Sequence, residues 1–123
     1  IIYFYPKDNT PGCTTEACAL RDDNEKFKQL NTKIIGISTN SSKSHLKFSE
    51  NQSLPFTLLA DTQGTVSDAY GALFKLGPLK FSKRHSFIID PSGKIAKIYR
   101  SVAPGVHSEE LLQDLQALQK AFK

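Results

Sequence analysis

The first five residues, Ile1-Ile2-Tyr3-Phe4-Tyr5, are apolar or aromatic without interruption. A half-buried strand alternates polar with apolar, so a run with no polar member predicts a strand buried on both faces. Pro6, which has no N–H to give to a ladder, ends it. A chain that opens on such a strand needs cover on two sides, and the segments that follow are of the type to provide it.

Residues 14–30 favour helix, with Ala17, Leu20, Phe27 and Leu30 on one broad face. Residues 33–38 (KIIGIS) and 56–59 after Pro55 read as strands; residues 42–51 and 65–70 read as short helices, the second ending near Gly71. Residues 76–83, with Gly77-Pro78, are expected to form a loop. Residues 85–90 and 94–99 read as two strands joined through Pro91-Ser92-Gly93, a hairpin signal. Ser108 is expected to cap the last helix, Glu109 and Glu110 to sit at its positive end, and Leu111, Leu112, Leu115, Leu118 and Phe122 to form its apolar stripe. Strands separated by helices, then a hairpin and a helix, make an α/β layered domain. The order of the last elements resembles the end of a thioredoxin-like fold, and the expectation is one domain over residues 1–123.

Composition closes other routes. A chain of 123 residues and 13.7 kDa fits one ordinary domain, and 39% hydrophobic with 23% charged residues describes a globular chain. No apolar run is long enough to span a membrane. The net charge is +4, and residues 75–100 hold seven Lys or Arg against Asp90 alone. Without an aromatic RNA motif or zinc-finger spacing beside it, that excess reads as a solvated face and not a nucleic-acid surface. The opening at Ile1, partway into a strand and with no positive n-region or cleavage site, sets the expectation of an upstream segment.

The two cysteines, Cys13 and Cys18, stand five positions apart. Cys13 falls where the loop after the first strand turns into a helix, after the breaker pair Pro11-Gly12. Free backbone N–H groups and the helix dipole favour an anion there, which is the setting of a reactive thiolate. Five helical residues separate α-carbons by roughly 8–9 Å. A disulfide wants about 4.4–6.8 Å. A bond between them therefore needs the helix to open locally, which suits a pair that cycles better than a static staple. Zinc would need four ligands, and His45, His85 and His107 lack ligand spacing.

The segment YFYPKDNTPGCTTEAC contains Pro6-x-x-x-Thr10-x-x-Cys13 and resembles the peroxiredoxins, in particular the peroxiredoxin Q or bacterioferritin comigratory group. A second segment, Arg84-His85-Ser86-Phe87-Ile88-Ile89-Asp90, is similar to that family's arginine-bearing strand. The resemblance implies a thioredoxin-like fold with a central mixed sheet flanked by helices, whose relatives carry further strands upstream. It implies thiol-dependent reduction of hydrogen peroxide and alkyl hydroperoxides without a bound cofactor. Cys13 would be the peroxidatic nucleophile and Cys18 the resolving partner in an intramolecular disulfide. Thr10 would hydrogen-bond thiolate and peroxide, and Arg84 would hold the thiolate and polarise the peroxide. Pro6 would shield the site, the Gly12 and Cys13 amides would hold the oxygen, and Glu16 would orient the arginine. Thioredoxin or a thioredoxin-like dithiol would be the reductant, the chain a monomer, and the compartment a reducing one, a bacterial cytoplasm or a plastid. Two other readings compete: a general thiol-disulfide oxidoreductase, which would normally present C-x-x-C, and a redox-sensing binding module switched by the cysteine pair.

Overall fold

The computed structural model describes residues 1–121. Five strands form a mixed sheet in the order β3-β2-β1-β6-β7, from Ile2–Phe4 (β1), Ile35–Ser38 (β2), Thr57–Ala60 (β3), Ser86–Ile89 (β6) and Ile95–Tyr99 (β7). The opening run is the middle of that sheet: β1 pairs parallel with β2 and antiparallel with β6. Its side chains divide between two cores, as a strand buried on both faces requires. Ile1, Tyr3 and Tyr5 join one cluster with Ala17, Leu20, Phe27, Phe48, Leu111 and Leu115. Phe4 packs on the other face with Ile37, Ala72 and Phe87. Each fully buried aromatic or aliphatic side chain contributes about 1.5–3 kcal/mol.

Helices Pro11–Asp22 (α1), Asn24–Gln29 (α2), Ser42–Gln52 (α3), Thr65–Ala69 (α4) and His107–Ala121 (α5) cover the sheet. At Gly36 on β2, a β-carbon would stand 2.8 Å from Leu58 and 2.9 Å from the Tyr3 ring, so only glycine lets those side chains close over the strand. The turn from β6 to β7 is the expected one: Asp90 Oδ1 accepts from the backbone N–H groups of Ser92 and Lys94 and from the Ser92 hydroxyl.

Three expectations need correction. The segment 14–30 is two helices, because Asp23 leaves the helical conformation (φ −95, ψ 4) between α1 and α2. Ser108 does not cap α5. The helix has already begun at His107, and the Ser108 hydroxyl donates to Asp23 Oδ2 at 2.7 Å, tying the α1–α2 break to α5. Residues 76–83 are not a loop: Leu73–Leu76 (β4) and Leu79–Ser82 (β5) pair as an antiparallel hairpin, with Leu76 opposite Leu79. Gly77-Pro78 is its two-residue turn, with Gly77 at φ +59 in the first central position, where hairpin turns demand a positive φ. Leu111, Leu112 and Leu115 of the expected α5 stripe are buried and Leu118 packs against the same core; Phe122 lies outside the described residues.

Candidate active site

The site is built where β1 ends and α1 begins. Pro6 stops the strand, Thr10 takes the extended N-cap position (ψ 152), and Pro11 starts the helix, whose first turn tolerates its missing N–H. The Thr14 N–H donates to the Thr10 carbonyl and begins the ladder. The amides of Gly12 and Cys13 precede it, at the positive end of the helix. Cys13, the third residue of α1, is only 1% exposed.

Arg84, between β5 and β6, reaches across to this helix end. Its Nη2 donates to Cys13 Sγ at 3.3 Å and its Nη1 to Glu16 Oε1 at 2.8 Å. Glu16, on the buried side of α1 one turn on, is 1% exposed, and its second oxygen, Oε2, has no protein partner. Burial pushes its carboxyl up to about 7, against the pull of the Arg84 charge. Burial also works against the arginine, but the Cys13 and Glu16 groups outweigh it and hold the guanidinium above its ordinary range. The buried Tyr3 hydroxyl likewise has no protein partner. Desolvation first, and then the acidic groups of Tyr5, Glu16, Cys13 and Asp8 around it, raise that phenol and keep it neutral.

Gly12 explains the closeness of the arginine. A β-carbon there would lie 3.1 Å from Arg84 Nη2 and 3.9 Å from Pro104, so the guanidinium would have to give way by a few tenths of an ångström. Pro6 is half-buried at the strand exit. Thr10 stands beside the site but turns its hydroxyl elsewhere, donating to the Lys7 carbonyl at 2.8 Å. Cys18 is half-buried on the same helix as Cys13 and points to another neighbour: its Sγ donates to Gln52 Oε1 at 3.3 Å, and both cysteines are free thiols. The structure thus gathers Cys13, Glu16, Arg84 and Gly12 at one point and leaves Cys18 apart.

Residues 1–98 match the AhpC/TSA family. Peroxiredoxin Bcp of Bacillus subtilis is 43% identical over 122 residues, covering 94% of this chain and 76% of that protein. The chain belongs to the AhpC/TSA family, among its peroxiredoxins. Chloroplastic peroxiredoxin Q of Sedum lineare is 42% identical over 120 residues, covering 96% of this chain and 63% of the plant protein, which is longer. Among solved structures, the bacterioferritin comigratory protein of Xanthomonas campestris, trapped in intermediate and ligand complexes that bear on its alkyl peroxide reduction activity, superposes with a TM-score of 0.88. It is 32% identical and covers 94% of this chain and 76% of its own. The central mixed sheet flanked by helices is the thioredoxin-like fold of these peroxiredoxins.

The peroxiredoxin site rests on a polar network that the sequence analysis did not find. Asp8, within the loop from Pro6 to Thr10, accepts from the Tyr5 hydroxyl at 2.6 Å and the Ser44 hydroxyl at 2.8 Å, and its Oδ2 lies 2.7 Å from His45 Nδ1. His45 Nε2 meets the Leu59 carbonyl at 3.1 Å, and the Asp8 N–H donates to Asn40 at 2.9 Å. Burial opposes the Asp8 charge, but the bonds from His45, Tyr5 and Ser44 outweigh it and keep the carboxyl below its ordinary range. The loop that carries Thr10 is thereby bolted to α3. An acid inside the Pro6–Thr10 string was the one available signal; that its partners lie at Ser44 and His45 is visible only in three dimensions.

Proposed function

We propose that this peroxiredoxin is a thiol-dependent peroxidase acting on hydrogen peroxide and alkyl hydroperoxides. The observation that carries the reading is Arg84 Nη2 at 3.3 Å from a buried Cys13 Sγ at a helix N-terminus. A cation and two unpaired amides there favour the thiolate and then the charge on the leaving oxygen. The Cys13 thiolate attacks the nearer peroxide oxygen, the O–O bond breaks, and the departing alkoxide or hydroxide takes a proton to leave as alcohol or water. The Thr10 proton is already given to the Lys7 carbonyl, so the Thr10 oxygen serves best as an acceptor for the peroxide O–H. Glu16 fixes the guanidinium, and Pro6 and Gly12 shape its approach.

Cys18 then condenses with the sulfenic acid, releasing water and forming the intramolecular disulfide, which a thioredoxin or similar dithiol reduces. The reading takes the chain as one thioredoxin-like domain, a monomer, in a bacterial cytoplasm or a plastid. No helix among the described residues is long and apolar enough to cross a membrane. The test is intact mass and thiol count after one equivalent of hydrogen peroxide. Loss of about 2 Da and of both thiols, absent in Cys13→Ser, supports it. Thiols left intact by peroxide would refute it.

A further inference from the structure

The second half of α1 is held by two contacts that the peroxidase chemistry does not use, one from Cys18 and one from Arg21, and both end on one residue of α3. Its Sγ donates to the side-chain Oε1 of Gln52 at 3.3 Å, and Arg21 Nη1, one turn further along α1, donates to the backbone carbonyl of Gln52 at 2.7 Å. Gln52 is the last residue of α3, followed by Ser53 in the left-handed conformation (φ 51), so its carbonyl is one of those a helix end leaves for outside donors. The second half of α1, the part that has to open for Cys18 to reach Cys13, is therefore fastened to the end of α3 at Cys18 itself and at the next turn.

We propose that Gln52 is a positioning residue for disulfide formation: with Arg21 it forms a clasp that retains Cys18 on the α3 side and sets how often a sulfenic acid at Cys13 survives to meet a second peroxide. This rests on the peroxidase reading and on Cys18 as the resolving thiol. Two reactions compete for the sulfenic acid. In one, the Cys18 thiolate attacks the Cys13 sulfur, an S–S bond forms, the S–O bond breaks, and the hydroxide takes up a proton as water. In the other, a second hydrogen peroxide gives up one oxygen to make the sulfinic acid and leaves as water. Only the first requires the clasp to part. A neutral amide fits a weak clasp, because its carbonyl accepts from the thiol and, turned over, its NH2 group donates to the thiolate. It restrains Cys18 in either protonation state without adding charge.

The test is the ratio of disulfide to sulfinic acid, read by intact mass across a hydrogen peroxide series; the ratio cancels the rate of the first step. Gln52→Met keeps the length of the side chain and removes the acceptor; it should raise the ratio about threefold, the worth of one modest hydrogen bond. Gln52→Glu places a carboxylate against Cys18 and within reach of Arg21; it should lower the ratio and move the pH dependence of disulfide formation upward, a response that a merely structural role would not give. A ratio unchanged in both variants, with wild-type protein still forming its disulfide, would overturn the clasp and leave the peroxidase reading standing. A wild-type protein that forms no Cys13–Cys18 disulfide would overturn both.

Discussion

Replacing Glu16 by glutamine tests the electrostatics of the site through stability, independently of turnover. In the folded protein one oxygen of Glu16 takes Arg84 Nη1 at 2.8 Å and the other is buried without a partner. Burial raises the carboxyl from 4.5 to about 7. A carboxyl with a raised folded value binds its proton more tightly when folded than when unfolded. Its contribution to stability is thus most favourable below pH 4.5 and declines as the pH rises through 7. At 1.36 kcal/mol per pH unit the whole decline is about 3 kcal/mol. In a chain of this size that corresponds to roughly 12 °C in Tm. Glutamine keeps a carbonyl for Arg84 and cannot ionise, so Glu16→Gln should lose this slope. The assay is urea denaturation followed by far-UV circular dichroism, since the chain has no tryptophan, at several pH values from 4 to 8. The variant should gain about 3 kcal/mol relative to wild type between the two ends of that range. A difference constant across it to within about 0.5 kcal/mol, the usual error of such comparisons, would refute the raised carboxyl.

Three further outcomes follow from the same geometry. Arg84→Met removes the charge-assisted bond to Cys13, worth about 1.5–3 kcal/mol, and should slow the single-turnover reaction with peroxide by about one to two powers of ten; a loss under twofold would deny Arg84 its role. Gly12→Ala places a methyl 3.1 Å from Arg84 Nη2 and should reduce the same rate constant with little change in Tm, whereas a fall in Tm without a loss of rate would point to packing instead. Asp8→Asn should cost about 1–3 kcal/mol at pH 7 by weakening the network that ties the Pro6–Thr10 loop to α3. Because the Asp8 carboxyl is held below its ordinary value of 3.8, its contribution is present above that pH and lost as the pH falls through the lower folded value. The variant should therefore be less sensitive than wild type to acid in denaturation below pH 4.

Reading the chain from residues alone reached far where the chemistry is local. Five unbroken apolar residues are enough to predict a central strand, and Tyr3 and Phe4 do fall into opposite cores. Cys13 is read as standing where a loop turns into a helix, and it does, although Pro11-Gly12, expected to break the chain before a helix from residue 14, is already the first part of α1. The reading went astray where a local signal has two meanings. Gly77-Pro78 breaks regular structure in most settings, yet between Leu73–Leu76 and Leu79–Ser82 it is the turn of a hairpin. Ser108 has the chemistry of a cap, but its hydroxyl found Asp23, 85 residues earlier in the chain.

Its resemblance to the peroxiredoxins pointed to an arginine-bearing strand facing the sulfur; the sequence by itself determined a thiol at a helix mouth, where an anion is favoured, and a second thiol too far along the same helix to bond without opening it. These follow from residue type and from spacings within a few turns, where backbone geometry leaves little choice. Tertiary structure decided which side chains meet. It placed Arg84 over Gly12, buried Glu16 with one oxygen unpaired, tied Asp8 to His45, and turned Cys18 toward Gln52. Those contacts join residues 34 to 72 positions apart. Their energies depend on distance and burial, which the folding of the whole sheet and its helices sets and no local pattern encodes.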